Sequence, residues 1–437
     1  MNYQQSLDYI YSFADLGLKA KGRSYDLSRM RALLARLGDP QRAVPAAHVA
    51  GTKGKGSTSA LIASVMRAAG YRVGLYTSPH LHETYERIRL NGESISSEDF
   101  ASLTTELRPH FESFSGTTTF EMLTAMAFAW FARQRCNFMV IEVGLGGRLD
   151  ATNTLLPNVC AITSISFDHT HVLGNTLAKI ASEKSGIIKA GAPVVTSPQP
   201  PEAEEAIAAA ALDRGSHLVR VGIDWRYYRE KFSLESQSFT AWKINHPPLH
   251  FDLPLLGEHQ VENAVTAIAM VDELRQQGFK ISDEALHEGI ANVKWAGRFE
   301  VFNFPKVHNL REAKAIVLDC AHNRDSMRRL VLAFNELFPK VTPTLIFGVS
   351  DDKDVSGMLS ELVALAIEKL IVVKANHPHA SDPKKLAAQI ESSGVARSVK
   401  VAHTISEALD DAKRKAEVIL VTGSIFVVAD VRAELKF

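Results

Sequence analysis

The stretch "HVAGTKGKGST", His48–Thr58, decides the fold. Before it, "AAHVAG" reads as a short strand. After it, "STSALIASVMRAAG" reads as a helix that opens at Ser57 and is closed by Gly70. A strand that enters a helix through a glycine turn aims several backbone N–H groups and the positive helix end at one point, which suits a phosphate. Gly51, Gly54 and Gly56 carry no side chain, so the backbone can approach a ligand closely. The usual phosphate loop, G-x-x-x-x-G-K-[ST], puts its lysine directly before the hydroxyl residue. Here the order is Lys55, Gly56, Ser57. Lys55 supplies a point charge, and Ser57 or Thr58 a hydroxyl near a metal. The competing reading is a glycine turn with solvated lysines, and the flanking strand and helix weigh against it.

Working outward, short apolar runs alternate with amphipathic segments, the mark of parallel sheets covered by helices. "YRVGLYTS", "NFMVIEV", "NVCAITSIS", "APVVTS" and "HLVRVG" read as strands. "FEMLTAMAFAWFARQ" and the segment from Glu202 to Asp213 read as helices. So does "NTLAKIASEKSGIIK", with Asn175 as its N-cap. The texture changes near Asp224, where "WRYYREKFSLESQSFTAWKI" alternates and is rich in aromatics, an antiparallel excursion. The helix "VENAVTAIAMVDELRQQG" and a shorter one from Asp283 to Asn292 close the first domain. After "WAGRFEVF" a second alternation runs through "AIVLDC", "TLIFGV", "LIVVKA" and "VILVTG". The expected domains are 1–296 and 297–437, with "FPKVHNLREAK" as a surface loop.

Bulk properties narrow the function classes. The 437 residues exceed one compact core, and 49 basic against 49 acidic residues leave a formal net charge of 0. That gives no global attraction to nucleic acid or to an anionic membrane. Cys136, Cys160 and Cys320 lie too far apart in sequence for a C-x-x-C pair or a disulfide framework, as in a reducing cytosol. Asp8 and Asp15 interrupt the N-terminal segment, so it lacks a signal-peptide core, and no apolar run reaches membrane-spanning length. The expectation is a cytoplasmic protein with neither a membrane nor a nucleic-acid partner.

Three further clusters carry chemistry. "IEVGLGGRLDATN", Ile141–Asn153, ends a buried strand in Glu142 and follows it with a glycine turn holding Arg148 and Asp150. In parallel α/β sheets ligands bind at the carboxyl ends of strands, so Glu142 stands where a Mg²⁺ carboxylate would. A solvent-facing glutamate is the alternative. "DHTHVLGNTLAKIASEK" brings Asp168, His169, His171 and Lys184. Zinc is disfavoured there because no cysteine or further histidine completes four ligands. "LDCAHN" repeats the layout in the second domain with Asp319, His322 and Asn323, while Arg298 sits in "WAGRFE", and His259 and Asn263 in "GEHQVENA". Polar groups at strand ends of both domains are expected to meet in one cleft.

Together these residues resemble the Mur ligase superfamily and, within it, the folylpolyglutamate synthase and dihydrofolate synthase family. The loop matches that family's G-T-[NK]-G-K-G-S form. "SPHL" (Ser78–Leu81), "ERIRLNG", "TTFEMLTAMAF", "EVGLGGRLDATN", "DHTHVLGNTLAKIASEKSGIIK", "GEHQVENA", "WAGRFE", "LDCAHN", "DDKD" and "VTGSIFVVADVR" follow in family order. The implied fold class is α/β: a P-loop parallel-sheet ATPase domain with a small antiparallel excursion, then a smaller Rossmann-like α/β domain. The resemblance implies ATP on Gly51, Thr52, Gly54, Lys55, Gly56, Ser57, Thr58, Asn263, Arg298, Asp319 and His322. It implies Mg²⁺, as two ions, on Ser57, Ser78, Glu142, His169 and a carboxylated Lys184, with a monovalent cation as a further expectation. Phe120, Glu121, Arg148 and Asp150 fall in segments that line the family's pterin site. Lys55, Glu142, His169, Lys184 and Arg298 are the expected catalytic set. Two positions depart from the family pattern: His379 where an arginine is common, and Ala296 where proline is frequent.

The implied activity is ATP-dependent transfer of L-glutamate onto a pterin or folate carboxylate through an acyl phosphate, releasing ADP and phosphate, by a monomer. Which carboxylate is the acceptor, dihydropteroate or a folate, stays open. A peptidoglycan-precursor ligase is the nearest rival, and such enzymes carry a substantial domain ahead of the loop, whereas 50 residues precede Gly51. A nucleotide-binding regulator without ligase activity would not require Glu142, His169 and the second domain's polar strand ends.

Overall fold

The computed structural model describes residues 1–13, 26–303, 315–414 and 416–436, so the "FPKVHNLREAK" loop lies outside the described residues. In chain order the first part comprises α1 (Tyr3–Ser12), α2 (Ser28–Arg36), β1 (Ala46–Ala50), α3 (Lys55–Ala68), β2 (Val73–Tyr76), β3 (Ile88–Leu90), β4 (Glu93–Ser94), α4 (Ser97–Glu112), α5 (Thr119–Arg133), β5 (Phe138–Glu142) and β6 (Val159–Ile162). It continues through α6 (Thr170–Leu173), α7 (Leu177–Ser185), β7 (Val194–Thr196), α8 (Pro201–Asp213) and β8 (Leu218–Arg220). These strands form one eight-stranded sheet, ordered β4-β3-β2-β5-β1-β6-β7-β8. The strands from β2 to β8 along that order run parallel, whereas β3 pairs antiparallel with β2 and β4 with β3.

Burial on both faces explains the strand sequences. All five residues of β1 and all five of β5 are buried, as parallel strands covered by helices require. One face packs Phe100, Phe111, Phe128 and Phe131 against Met139 and Ile141. The other packs Ile162, Ile180, Ile187 and Ile207 around Cys160. Each such side chain stabilises the fold by about 1.5–3 kcal/mol relative to exposure. The register sets β1 beside both neighbours, with Val49 opposite Glu142 on β5 and Ala50 opposite Ile162 on β6. Whatever follows β1 is therefore flanked by the ends of β5 and β6.

A hairpin, β9 (Trp225–Phe232) and β10 (Gln237–Lys243), with β11 (Leu249–Leu253), forms the expected antiparallel sheet, ordered β11-β10-β9. Helices α9 (Glu258–Gln276) and α10 (Asp283–Ala291) follow. The remainder alternates β12 (Glu300–Asn303), β13 (Ala315–Leu318), α11 (Arg324–Leu337), β14 (Thr344–Phe347), α12 (Val355–Leu362), β15 (Ile367–Val372), α13 (Pro383–Ser393), β16 (Ala396–Val401), α14 (Ile405–Lys413), β17 (Val418–Thr422) and α15 (Ile425–Glu434). These strands make a six-stranded sheet, β12-β13-β17-β14-β15-β16, parallel except for β12. Its core holds Phe334, Phe347, Leu330, Leu362 and Leu370.

The chain divides into two compact units. The first contains 1–228, 240–251 and 262–293; the second contains 229–239, 252–261 and 294–437. No helix among the described residues is long and apolar enough to cross a membrane.

Candidate active site

The loop after β1 carries the first unit's site. Helix α3 opens at Lys55, two residues earlier than the sequence reading placed it. Gly54 is the N-cap, at φ 89, and no side chain caps the helix. A helix leaves its first N–H groups without intrahelical partners, and an uncapped end presents them to a ligand. Glycine is required at Gly54 for two reasons: its φ is left-handed, and a Cβ there would collide with the Asn263 Oδ1. The Asn263 carboxamide thus lies directly against the loop. Ser57 and Thr58 are buried in the first turns, and the Thr58 hydroxyl has no hydrogen-bond partner among the described residues.

Strand β6 supplies the scaffold on one side. The N–H groups of Thr52 and Lys53 donate to the Ser164 carbonyl at 2.9 and 3.1 Å. The Thr52 hydroxyl donates to the Ser166 carbonyl at 3.1 Å, and the Lys53 ammonium lies 3.0 Å from Asp168 Oδ2. His169 follows in a left-handed conformation, φ 47, with its N–H donating to Asp168 Oδ1 at 3.0 Å. Its imidazole is exposed, with the His171 ring 6.2 Å away.

Strand β5 supplies the other side. Glu142 is its last residue and is only 4% exposed; its Oε2 accepts the Ser78 N–H at 3.0 Å. Ser78 follows β2 and precedes a cis peptide to Pro79. The turn after Glu142 is pinned by buried Asp150, whose carboxylate accepts the N–H groups of Gly144, Leu145 and Thr152 and the Thr152 hydroxyl. Burial pushes the Asp150 carboxyl up, and these hydrogen bonds oppose the shift. Phe120, in the first turn of α5, covers Gly144 with its ring.

Lys184 lies near the end of α7, whose N-cap is Thr176 rather than the expected Asn175. Its ammonium is 5% exposed, and burial, then the charge of Lys55, bring its pKa down to about 7. Lys53 acts in the same direction, while Asp168 and Asp150 oppose it. These residues therefore share one electrostatic environment.

Two of the pterin-segment residues have other partners. Glu121 caps α5 together with Thr118 and makes paired hydrogen bonds to Arg29 Nε and Nη2. Arg148 is exposed and pairs with Glu183 at 2.8 Å.

In the second unit, Asp319 follows β13 and accepts the N–H groups of Phe299 and Ala321 at 2.9 and 2.8 Å. Burial raises its pKa to about 6 against the opposing pull of Arg298. The His322 Nδ1–H donates to the Cys320 carbonyl at 2.8 Å. Asn323 caps α11 in a reciprocal box with Ser326. His259, in the first turn of α9, is brought down to about 3 by burial and the charges of Arg329 and Arg298. His379 is exposed, its N–H 3.2 Å from the His377 Nδ1, and His377 stacks on Phe426 at 3.8 Å.

A Mg²⁺ ion prefers hard oxygen donors. Ser57 in the first turn of α3, with Ser78 and Glu142 at adjoining strand ends, offers such donors, and this donor chemistry fits the metal. Among the described residues no three His, Cys, Asp or Glu side chains converge on a metal position, so hydroxyl and ligand oxygens would have to complete the shell. Sequence reasoning named Asp168 only as a neighbour of the two histidines and did not single out Lys53. The ion pair between them, with partners 115 residues apart, is what it missed.

Known proteins resemble this chain along nearly its whole length. The family described as "Mur ligase middle domain" matches residues 49–271, and "Mur ligase, glutamate ligase domain" matches 297–425. A dihydrofolate synthase/folylpolyglutamate synthase of Bacillus subtilis (strain 168) is 34% identical over 441 residues, covering 99% of each chain. The Escherichia coli (strain K12) protein of the same description is 32% identical over 416 residues, 95% of this chain and 92% of that one. The crystal structure of Mycobacterium tuberculosis folylpolyglutamate synthase complexed with ADP and AMPPCP has a TM-score of 0.87 at 30% identity, covering 100% of this chain and 99% of that one. An Escherichia coli structure in complex with DHPP and ADP has a TM-score of 0.85 at 30% identity, covering 100% of this chain and 98% of that one.

Proposed function

Since this chain belongs to the folylpolyglutamate synthase and dihydrofolate synthase family of Mur ligases, we propose that it is an ADP-forming ligase of folate metabolism. It joins L-glutamate to the carboxylate of dihydropteroate, of a reduced folate, or of both. The observation that carries this reading is the uncapped, glycine-started α3 with Lys55 in its first turn, beside the buried Glu142–Ser78 pair.

The reaction first brings a substrate carboxylate against the γ-phosphate of ATP, an anion against a polyanion. Positioning and concentrated positive charge are most of what such a transfer asks of a protein. The free N–H groups at the start of α3 orient the phosphates, with Gly51, Thr52, Gly54, Gly56, Ser57 and Thr58 shaping the cradle and Lys55 adding a charge. Asn263 holds the nucleotide at the loop, and Arg298, Asp319 and His322 are the second unit's proposed ATP contacts. Phe120 and Asp150 shape the pterin site, with Glu121 and Arg148 at its margin. The amine of glutamate then displaces phosphate from the acyl phosphate, forming the amide.

Ser57, Ser78, Glu142 and His169 would hold Mg²⁺, which neutralises phosphate charge when bound. Lys184, brought down to about 7, carries enough free amine near neutrality to form a carbamate with CO₂, and that anion would serve a second ion. We assign domain boundaries of 1–296 and 297–437, a cytoplasmic location, a monomeric state and a monovalent-cation requirement to the same proposal.

Phosphate release tests it. Purified protein with ATP, Mg²⁺ and L-glutamate should release phosphate on addition of dihydropteroate or a reduced folate, and comparing the two acceptors settles the specificity. Release that ignores both acceptors defeats the reading.

A further inference from the structure

Among the described residues, backbone hydrogen bonds and one ion pair join the phosphate loop to the chain after β6. The hydrogen bonds include Thr52 N–H and Lys53 N–H to the Ser164 carbonyl, the Thr52 hydroxyl to the Ser166 carbonyl, and the Ser166 N–H to the Thr52 hydroxyl at 3.2 Å. The ion pair joins two charged side chains. The Lys53 ammonium meets Asp168 Oδ2 at 3.0 Å, with side-chain exposures of 13% and 18%. The same carboxylate's Oδ1 accepts the His169 N–H at 3.0 Å, and His169 adopts φ 47, a conformation that non-glycine residues rarely hold unaided. One carboxylate thus grips the loop with one oxygen and the backbone of His169 with the other. Shielding from solvent strengthens the attraction between the two charges at a desolvation cost, so removing either partner leaves the other poorly compensated.

We propose that Lys53 and Asp168 form a positioning pair that fixes His169 to the phosphate loop, so that metal binding and phosphate binding are coupled through this contact. This rests on the ligase reading, with His169 beside the metal. Lys53 does not act as a second phosphate cation, because Asp168 already offsets its charge; Lys55 has that role. Removing either partner leaves the loop's backbone contacts in place but lets the His169 segment drift. Groups that orient metal ligands typically cost 10–100-fold in metal affinity when lost.

Calorimetric titration of the full-length protein with ADP, with and without Mg²⁺, tests this without turnover. Lys53→Met and Asp168→Asn should each reduce the Mg²⁺-dependent gain in ADP affinity about 10-fold or more. The double variant should lose no more than the worse single variant, because both changes break one contact. Lys53→Arg keeps the charge and should recover most of the gain, which separates positioning from misfolding. Additive losses, or an unchanged gain in both single variants, would overturn the pair. A wild-type protein whose ADP affinity ignores Mg²⁺ would overturn the pair at its premise, the metal beside His169, a result distinct from either of those and from a failed phosphate-release assay, which bears on the ligase reading.

Discussion

The two units solve the same local problem in opposite ways. Each ends a buried strand, turns, and starts a helix at the carboxyl edge of a parallel sheet. In the first unit, α3 starts at Gly54 with no side-chain cap, and the lysines Lys53, Lys55 and Lys184 gather around it. In the second unit, α11 starts at Asn323, whose side chain accepts the Ser326 N–H while Ser326 answers the Asn323 N–H. The last helix, α15, is capped as well, by Ser424. A capped helix has spent its N–H groups on itself, whereas an uncapped one keeps them for an anion. The charge at each turn agrees. The first unit holds an amine pushed down by burial and then by the charge of Lys55, and the second a carboxylate pushed up to about 6 by burial against the pull of Arg298. Similar topology therefore leaves an uncapped helix end after β1, the proposed phosphate cradle, and capped ends at α11 and α15.

The largest expected effect comes from breaking the first unit's side of this contrast. Lys55→Ala should cut phosphate release by about 10²-fold or more with either acceptor, as loss of a group aimed at developing charge does. Chemical unfolding should move little, because Lys55 is half-buried at a helix end. Full activity would place the phosphates elsewhere.

Acid should separate the units next. His48 is fully buried on β1, Nε2 2.9 Å from the Thr152 hydroxyl, and burial brings its pKa down to about 3. Its folded value lies below the unfolded one of about 6.5, so the unfolded chain takes up a proton that the folded chain refuses. Stability therefore falls as pH drops below about 6.5, by about 2 kcal/mol for this residue at about pH 5. His259 in the second unit has the same sign. Buried carboxylates oppose both histidines: Asp150 in the first unit is pushed up against its hydrogen bonds from Thr152, Leu145 and Gly144, whereas Asp319 in the second reaches about 6, so its protonation stabilises the folded form as pH falls through 6. Urea unfolding followed by signals from each unit should show the first unit losing more stability between neutral and mildly acidic pH. Equal losses would remove the electrostatic half of the comparison. The smallest effect should be that of Asn323→Ala, which deletes the α11 cap and costs about 1 kcal/mol of stability, measured as a shift in the urea midpoint.

Much of this was legible in the sequence, because buried parallel strands such as "FMVIE" and glycine turns leave strong local signatures. The fold class and the place of Glu142 at the end of the strand beside the loop follow from those signals, whereas Ser78 entered through the family resemblance. The misses have physical causes. Strands β3, β4, β12 and β16 are short or at a sheet edge; β16 alternates exposed and partly buried residues and has no apolar run to announce it. The start of α3 at Lys55 depends on the φ of Gly54, which composition does not reveal. Lys53 shows no partner in the sequence until Asp168, 115 residues away, is brought to it, and the pairing of Glu121 with Arg29, 92 residues away, is equally invisible there. Long-range partners decide both, and a local motif carries no record of them.

The central claim is that the acceptor carboxylate attacks ATP directly and is activated as an acyl phosphate. Labelling that carboxylate with ¹⁸O and analysing the released phosphate by mass spectrometry tests it most directly. The account predicts that one labelled oxygen passes from the acceptor to phosphate for each glutamate joined. Phosphate released without label while the amide forms would contradict it.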